Sequence, residues 1–292
     1  MPVPRHVSVL LHETVEGLNP RPGGVFVDGT LGGGGHTRAI AERVQPDGLV
    51  VAVDRDPAAI AAAEENLTGL PVQFALGNFC DLPELLANKN ITKVDGIALD
   101  LGLSSDQLAD STRGFSFDAE GPLDLRFNPL IGEPAMRLVN RLSAEHLADL
   151  IFNYGEERFS RRIARKIVEQ RHENPIQTSR ELASLVSRAV PAAAHKQRIH
   201  PATRTFQALR IAVNDELKSL EIALSRLPDC LNTGGRLAII SFHSLEDRRV
   251  KEAFRNDGRL QLITKKPIAA TEMEIARNPR SRSAKLRIAE RV

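Results

Sequence analysis

Short apolar segments alternate with amphipathic helical segments along the first hundred residues of the chain. An apolar run that stops at a polar residue is typical of a buried strand, whereas apolar residues three and four apart are typical of a helix. The predicted strands are Val25–Asp28, Leu49–Asp54, Val72–Leu76 and Val94–Asp100, and the predicted helices between them are His36–Val44, Ala58–Leu67 and Leu82–Ala87. This alternation predicts an α/β fold with a mainly parallel sheet.

The alternation stops after Asp100. Residues 101 to 130 are rich in Gly, Ser, Asp and Pro, and a strand returns only at Arg236–Phe242. Helical patterns lie between them at Ala144–Tyr154, Glu156–Arg171, Ser179–Val190 and, as one long helix, Thr203–Leu227. We therefore predict one α/β domain, residues 1–105 and 212–292, that is interrupted by an inserted helical domain, residues 106–211.

Four consecutive glycines, Gly32 to Gly35, follow the first predicted strand. Such a run allows either tight packing of a strand on a helix or close approach of a ligand to the backbone. A dinucleotide fingerprint requires glycine where Thr37 stands, and the lysine of a triphosphate-binding loop is absent. The acidic, glycine-rich loop of S-adenosylmethionine enzymes is closer, although Thr30 occupies its first glycine position.

Candidate ligand contacts end the neighbouring strands, because open α/β sheets bind ligands at the carboxyl ends of their strands. Asp54 stands where related folds place the acid that binds a ribose, although it could instead cap the next helix, a position for which Asp56 is better placed. Phe79 follows the third strand and could pack on an adenine or belong to the core. Asp100 ends the fourth strand.

A second polar cluster, Ser241–Arg248, follows the fifth strand and contains His243. A Ser-His-Asp hydrolase is disfavoured, because no G-x-S-x-G elbow surrounds either serine. A substrate-orienting role and a helix-capping role both stay open for His243.

Composition limits the partners. The 292 residues are 42% hydrophobic and carry a net charge of only +2, so any basic surface has to be local. The stretch from Leu182 to Asn214 contains no acid, which suits contacts to nucleic-acid phosphates, and further basic clusters precede and follow it. These clusters contain Arg158, Arg161, Arg162, Arg165, Lys166, Arg171, Arg188, His195, Lys196, Arg198, His200, Arg204, Arg210, Arg277, Arg280, Arg282, Lys285, Arg287 and Arg291.

Few aromatic residues argue against a long stacking platform, and a single flipped or looped-out base fits better. Two cysteines make neither a disulfide framework nor an ordinary zinc site, and we predict no metal. No apolar run is long enough to span a bilayer and no signal peptide is present, so we expect a cytoplasmic protein without a membrane partner.

Several longer motifs together resemble the bacterial ribosomal RNA small subunit methyltransferase H family, almost from end to end. They include His6–Leu11, Asp28–His36, Asp54–Pro57, Asp100–Leu108, Arg113–Phe117, Pro122–Arg126, Tyr154–Phe159, Thr203–Arg210, Ser241–Arg248 and Asn278–Arg282. The resemblance implies a class I, Rossmann-like methyltransferase with an inserted all-α substrate-recognition domain. It also implies S-adenosyl-L-methionine as cofactor and methylation of N4 of a cytidine in the decoding region of 16S rRNA, within the small ribosomal subunit.

Carried over residue by residue, the resemblance implies cofactor contacts from Gly34, Gly35, His36, Asp54, Phe79, Asp100 and Gln107. Cytosine N4 also needs a proton acceptor, for which Asp100 and His243 are the candidates. Two other readings stay open, a non-catalytic RNA-binding assembly factor and a nicotinamide oxidoreductase, as does the formation of a homodimer.

Overall fold

The computed structural model describes residues 8–117, 120–191 and 200–292. Two compact units divide the chain. The first, called the sheet unit, contains Met1–Ser104 and Leu217–Val292, and the second, called the helical unit, contains Ser105–Glu216. The helices in chain order are α1 (Leu11–Leu18), α2 (Gly35–Val44), α3 (Pro57–Asn66), α4 (Leu82–Ala87), α5 (Ser105–Ala109), α6 (Ala135–Arg141), α7 (Ala144–Gly155), α8 (Ser160–Glu173), α9 (Ser179–Ala189), α10 (Thr203–Asn214), α11 (Glu216–Arg226), α12 (Ser244–Asn256) and α13 (Glu272–Arg277).

One mixed sheet organises the sheet unit. Its strands are β1 (Val25–Asp28), β2 (Leu49–Asp54), β3 (Val72–Leu76), β4 (Val94–Asp100), β5 (Leu231–Ser241), β6 (Leu260–Leu262), β7 (Ile268–Ala269) and β8 (Lys285–Arg291). The strand order is β3-β2-β1-β4-β5-β8-β6, and β7 also pairs with β8. Strands β1 to β5 are parallel, whereas β8 runs antiparallel to its neighbours. The predicted α/β class with a mainly parallel sheet is confirmed.

Both faces of the sheet are buried, which explains why its strands read as continuous apolar runs. Along β5, Leu237 and Ile239 belong to one core layer with side chains of α4, α11 and α12. The intervening residues Ala238 and Ile240 belong to the opposite layer with side chains of α1 and α2. This alternation is the period of two that a strand imposes, and it leaves the strand ends free to carry polar groups.

The helical unit contains α5 to α10 within its described residues. The single long helix predicted over Thr203–Leu227 is wrong, because the chain breaks at Asp215, whose φ of 50° is left-handed. The buried Asn214 side chain fixes the break, since its Oδ1 accepts from Phe127 N at 2.7 Å and its Nδ2 donates to Leu125 O at 2.7 Å. No described helix meets the length and apolarity that crossing a bilayer requires.

Candidate active site

Three aspartates end three neighbouring strands at one edge of the sheet. Asp54 ends β2, Asp28 ends β1 and Asp100 ends β4, and these strands are adjacent in the order β2-β1-β4. Adjacent strands lie about 4.8 Å apart, so three carboxylates share a small volume. Their hydrogen-bond partners differ, and this difference assigns them different roles.

Asp28 serves the structure. Its side chain is buried, and its Oδ1 accepts from Thr30 N at 3.1 Å while its Oδ2 accepts from the Thr37 hydroxyl at 2.7 Å. Thr30 in turn accepts a 2.6 Å hydrogen bond from Asp100 N through its Oγ1. The departure from glycine at position 30 therefore has a physical reason, because the hydroxyl ties the loop after β1 to the end of β4.

Backbone conformation and packing within the protein already account for the glycines of the run. Gly32 and Gly34 have φ of 47° and 77°, a left-handed region that side chains disfavour. A side chain at Gly35 would require Ser8 to move, since a Cβ there would lie 2.0 Å from Ser8 Oγ and 3.2 Å from Ser8 Cβ. Gly35 also begins α2, whose first N–H groups have no partners within the helix and favour a negatively charged group. The assignment of Gly34 and Gly35 to the cofactor stays a prediction.

Asp54 accepts backbone hydrogen bonds with both oxygens, from Gly32 N at 2.8 Å and from Asp56 N at 2.9 Å. Burial raises the pKa of Asp54 to about 6, although these two N–H groups oppose the shift. The cap of α3 is Asp56, which accepts from Ala58 N at 3.1 Å, as its position predicts. A carboxylate has about four acceptor sites, so Asp54 keeps the capacity to accept from ribose hydroxyls.

Asp100 is the least satisfied of the three acids. Its Oδ1 is buried and has no hydrogen-bond partner among the described residues, and its Oδ2 lies 3.9 Å from His36 Nδ1, beyond hydrogen-bond distance. Burial raises the pKa of Asp100 to about 6; the nearby His36 lowers it, and the charges of Asp28 and Glu246 raise it further. This carboxylate can accept a hydrogen bond or a proton from a bound molecule.

The other predicted cofactor contacts have varied surroundings. The His36 ring is buried, and its Nε2 donates to Val9 O at 3.1 Å, so the ring fixes the N-terminal segment. Phe79 is half-buried beside the core of the sheet, close to Gly29 at the end of β1. Gln107 is buried on α5 of the helical unit. The roles of all three in cofactor binding stay predictions.

His243 caps α12. Its Nδ1 accepts from Glu246 N at 3.4 Å, and Glu246 Oε2 accepts from Phe242 N at 2.9 Å and from His243 N at 3.4 Å. Its Nε2 lies 3.2 Å from Glu246 Oε1 without the alignment of a hydrogen bond. The capping role that the sequence left open for His243 is therefore present.

The fold and this edge together define a class I S-adenosylmethionine-dependent methyltransferase. The antiparallel strand inserted next to β5, the glycine-rich turn after β1 and the acid at the end of β2 are the features of that class. The chain belongs to the MraW methylase family, whose sequence model matches residues 4–292. S-adenosylmethionine is the cofactor of this family, as predicted.

Individual relatives cover nearly the whole chain. Ribosomal RNA small subunit methyltransferase H of Cyanothece sp. is 54% identical over 289 residues, which are 98% of this chain and 95% of the relative. The protein of the same name from Fervidobacterium nodosum is 52% identical over 290 residues, or 98% and 97% of the two chains. The crystal structure of an rRNA methylase from Streptococcus thermophilus is 12% identical, with a TM-score of 0.45, over 97% of this chain and 93% of that one.

The donor set of the sheet unit fits S-adenosylmethionine. Asp54 has acceptor capacity left for the ribose, and the first turn of α2 offers N–H groups to the methionine carboxylate. The unpartnered Oδ1 of Asp100 offers an acceptor to a cationic or N–H-bearing group.

Adding a methyl group at Gly35 is expected to destabilise the protein. Gly35→Ala should lower the free energy of unfolding by about 1–2 kcal/mol, because the new methyl group overlaps Ser8. Urea unfolding of Gly35→Ala, Ser8→Ala and the double variant measures the coupling, which should reach at least about 0.5 kcal/mol. Strictly additive effects would contradict this contact.

Loss of the Asp54 charge is expected to weaken cofactor binding. Calorimetric titration of Asp54→Asn with S-adenosylhomocysteine should give an affinity at least about tenfold below wild type, since charged acceptors contribute about 1.5–3 kcal/mol. Asp56→Asn is the matched control, because asparagine caps a helix as well as aspartate does, and its affinity should stay within about twofold. An equal loss of affinity in both variants would contradict the assignment of Asp54 to the ribose.

Asp100 is expected to destabilise the fold at neutral and alkaline pH. Its folded pKa of about 6 lies above the ordinary 3.8, so the folded state binds more protons between these values and stability falls as the pH rises through them. Asp100→Asn should raise the free energy of unfolding by about 1–3 kcal/mol at pH 8 and progressively less towards pH 4. Urea unfolding at pH 8, 6 and 4.5 measures this, and a gain independent of pH would contradict it.

Proposed function

We propose that the chain transfers a methyl group to N4 of a cytidine in the decoding region of 16S ribosomal RNA, within the small ribosomal subunit in the cytoplasm. Relatives about half identical to it over almost their whole length, which bear the name ribosomal RNA small subunit methyltransferase H, support the RNA substrate. The observation that carries the chemistry is Asp100, a half-buried carboxylate at the sheet edge whose buried Oδ1 has no partner among the described residues. An amine that must lose a proton suits such an acceptor.

Cytosine N4 is a weak nucleophile, because its lone pair is delocalised into the ring. Positioning therefore contributes much of the rate. When bound, S-adenosylmethionine supplies an electrophilic methyl group on a positively charged sulfur. In the reaction N4 forms a bond to the methyl carbon while the bond from that carbon to sulfur breaks, which releases the neutral thioether S-adenosylhomocysteine. N4 loses one proton, which the Asp100 carboxylate accepts. A pKa near 6 leaves Asp100 mostly ionised at pH 7 and makes it a better base than an ordinary aspartate.

Asp100 is the stronger of the two candidate acceptors. The Nδ1 of His243 is engaged by Glu246 N, and its Nε2 is directed at the Glu246 carboxylate. The geometry supports a capping role for His243, and a direct role would need this arrangement to open. Asp100 needs no such change, because its Oδ1 is unengaged among the described side chains.

We assign substrate recognition to the helical unit, which contains thirteen of the nineteen residues in the predicted basic clusters. A homodimer stays a prediction, and light scattering of the purified chain measures its mass directly.

Methyl transfer from labelled S-adenosylmethionine tests the function. Small-subunit particles and naked 16S RNA are compared as acceptors, and digestion to nucleosides identifies the product. N4-methylcytidine from the decoding-region fragment supports the proposal. A labelled nucleoside other than N4-methylcytidine, or cofactor binding without transfer to either acceptor, would contradict it.

Substitution of the two candidate acceptors distinguishes their roles. At saturating cofactor, Asp100→Asn should lower kcat by about 100-fold or more, and the wild-type rate should rise with pH through about 6 as Asp100 ionises. His243→Asn, which preserves a capping side chain, should keep kcat within a few fold. The reverse result, a large loss in His243→Asn and a small one in Asp100→Asn, would make His243 the acceptor.

A further inference from the structure

Most of the predicted basic residues that the structure describes are engaged within the protein. Arg171 donates to Val139 O and Leu142 O, at 2.8 and 2.6 Å. Arg210 pairs with Glu216, and Arg287 with Asp247. His195, Lys196 and Arg198 lie outside the described residues. Sequence charge alone therefore overstates the basic surface of this chain.

Four arginines of the helical unit that are close in sequence are not engaged in this way. Arg158, Arg161, Arg162 and Arg165 are exposed, and none forms an ion pair with any residue in the described part of the chain. Among the described residues, their one side-chain hydrogen bond runs from Arg165 Nε to the helix carbonyl of Arg161 at 3.4 Å. We call this set the arginine face.

The arginine face lies along the first turns of α8. Residues 161, 162 and 165 share one side of a helix by their spacing, and Arg158 precedes the helix by two residues. The opposite side carries Ile163, Ala164 and Ile167, which are buried in the helical unit. The helix thus presents guanidinium groups to solvent and keeps its apolar residues inside.

The acids close to the arginine face do not neutralise its positive charge. Glu157 is buried and accepts from Phe159 N at 2.8 Å. Glu169, one turn beyond Arg165, pairs with Lys166 at 2.6 Å. Glu156 is exposed, and none of the four arginines forms an ion pair with it among the described residues, so the arginine face keeps its positive charge.

Two contacts order and extend this surface. The Arg158 guanidinium carbon lies 4.7 Å from the centre of the Phe159 ring, a cation–π contact that limits its orientations. Arg204 of α10 donates to Glu156 O at 3.1 Å, two residues before Arg158. The surface therefore continues from α8 towards α10, where the acid-free stretch lies.

We propose that the arginine face binds the phosphodiester backbone of the substrate RNA, an assignment that rests on the proposed function. A guanidinium is planar and donates two parallel hydrogen bonds to phosphate, which makes arginine suited to this partner. A membrane surface fits less well, because a helix lying in a bilayer exposes apolar residues opposite its charges, and those of α8 are buried. These arginines contact phosphates and leave base selection and chemistry to other groups.

Salt-dependent RNA binding tests the proposal. Filter binding across a salt series compares the binding of 16S RNA by wild type and by a fourfold variant. This variant carries Arg158→Gln, Arg161→Gln, Arg162→Gln and Arg165→Gln. Each single-strand phosphate contact contributes about 0.7 to the slope of log K against log salt, so the slope should fall by about 3. Affinity near 0.15 M salt should fall at least about tenfold, KM for RNA should rise, and kcat at saturating RNA should stay within a few fold.

The matched control removes the same charge outside the predicted basic clusters. Arg137, Arg141, Arg180 and Arg255 are exposed, and their replacement by Gln changes the net charge equally. Two of them already pair with acids, Arg141 with Glu133 and Arg180 with Glu120. The control should keep most of the wild-type slope and affinity.

Equal slopes in the arginine-face variant and the control would overturn the proposal. Binding of S-adenosylhomocysteine and thermal unfolding verify that both variants are folded, and the pairs Arg158/Arg161 and Arg162/Arg165 replace the fourfold variant if it unfolds. Each pair should then lower the slope by about 1.4. If wild type binds RNA with a slope that needs the arginine face but transfers no methyl group, the proposed function fails and this inference stands.

Discussion

The concentration of negative charge at one edge of the sheet constrains the rest of the site. Parallel pairing brings the ends of β2, β1 and β4 to the same edge, where Asp28 lies opposite Ala52 and Ala98, two residues before Asp54 and Asp100. The three charges still interact, because burial raises the pKa of both Asp54 and Asp100 and the charge of Asp28 raises it further. Burying charges costs free energy unless hydrogen bonds replace the lost water. Four polar hydrogens compensate Asp28 and Asp54, three from loop backbone and one from Thr37. The glycine-rich loop is thus shaped by the acids it must solvate.

Hydrogen bonds stabilise the three aspartate charges to different extents, and this difference gives the three residues different roles. Asp28 is buried with one donor on each oxygen and holds the loop against α2, while the half-buried Asp54 orders Gly32 and keeps acceptor capacity on its exposed side. Asp100 receives only the electrostatic support of His36, and its pKa rises to about 6 as a result of burial. Chemically identical side chains on adjacent strands therefore become a structural tie, a candidate ribose acceptor and a candidate base through their local donors alone.

Local patterns were enough to predict β1 to β4, the carboxyl-edge placement of the acids and the cap at Asp56, since each depends on neighbours in sequence. The start of β5 and the short β7 were not predicted. Contacts between distant residues were not predictable. Nothing local indicates that Ser8 excludes a side chain at Gly35, or that Asn214 binds the backbone at Leu125 and ends a helix there. The capping role of His243 had a local signal, the Glu246 three residues later, which is the spacing of a capping box.

The same distinction governs the basic residues. Charge spacing in a sequence identifies candidate phosphate contacts, but whether an arginine is available depends on what lies opposite it in the fold. Arg171 and Arg165 lie on the same helix, yet Arg171 is held by two carbonyls from another segment while Arg165 reaches solvent. A surface that binds RNA by contacts to phosphates needs solvent-exposed arginines such as Arg165, because an arginine already engaged by the protein gains little from a phosphate. The first turns of α8 meet that condition because their apolar residues face inward and their nearest acids are engaged elsewhere.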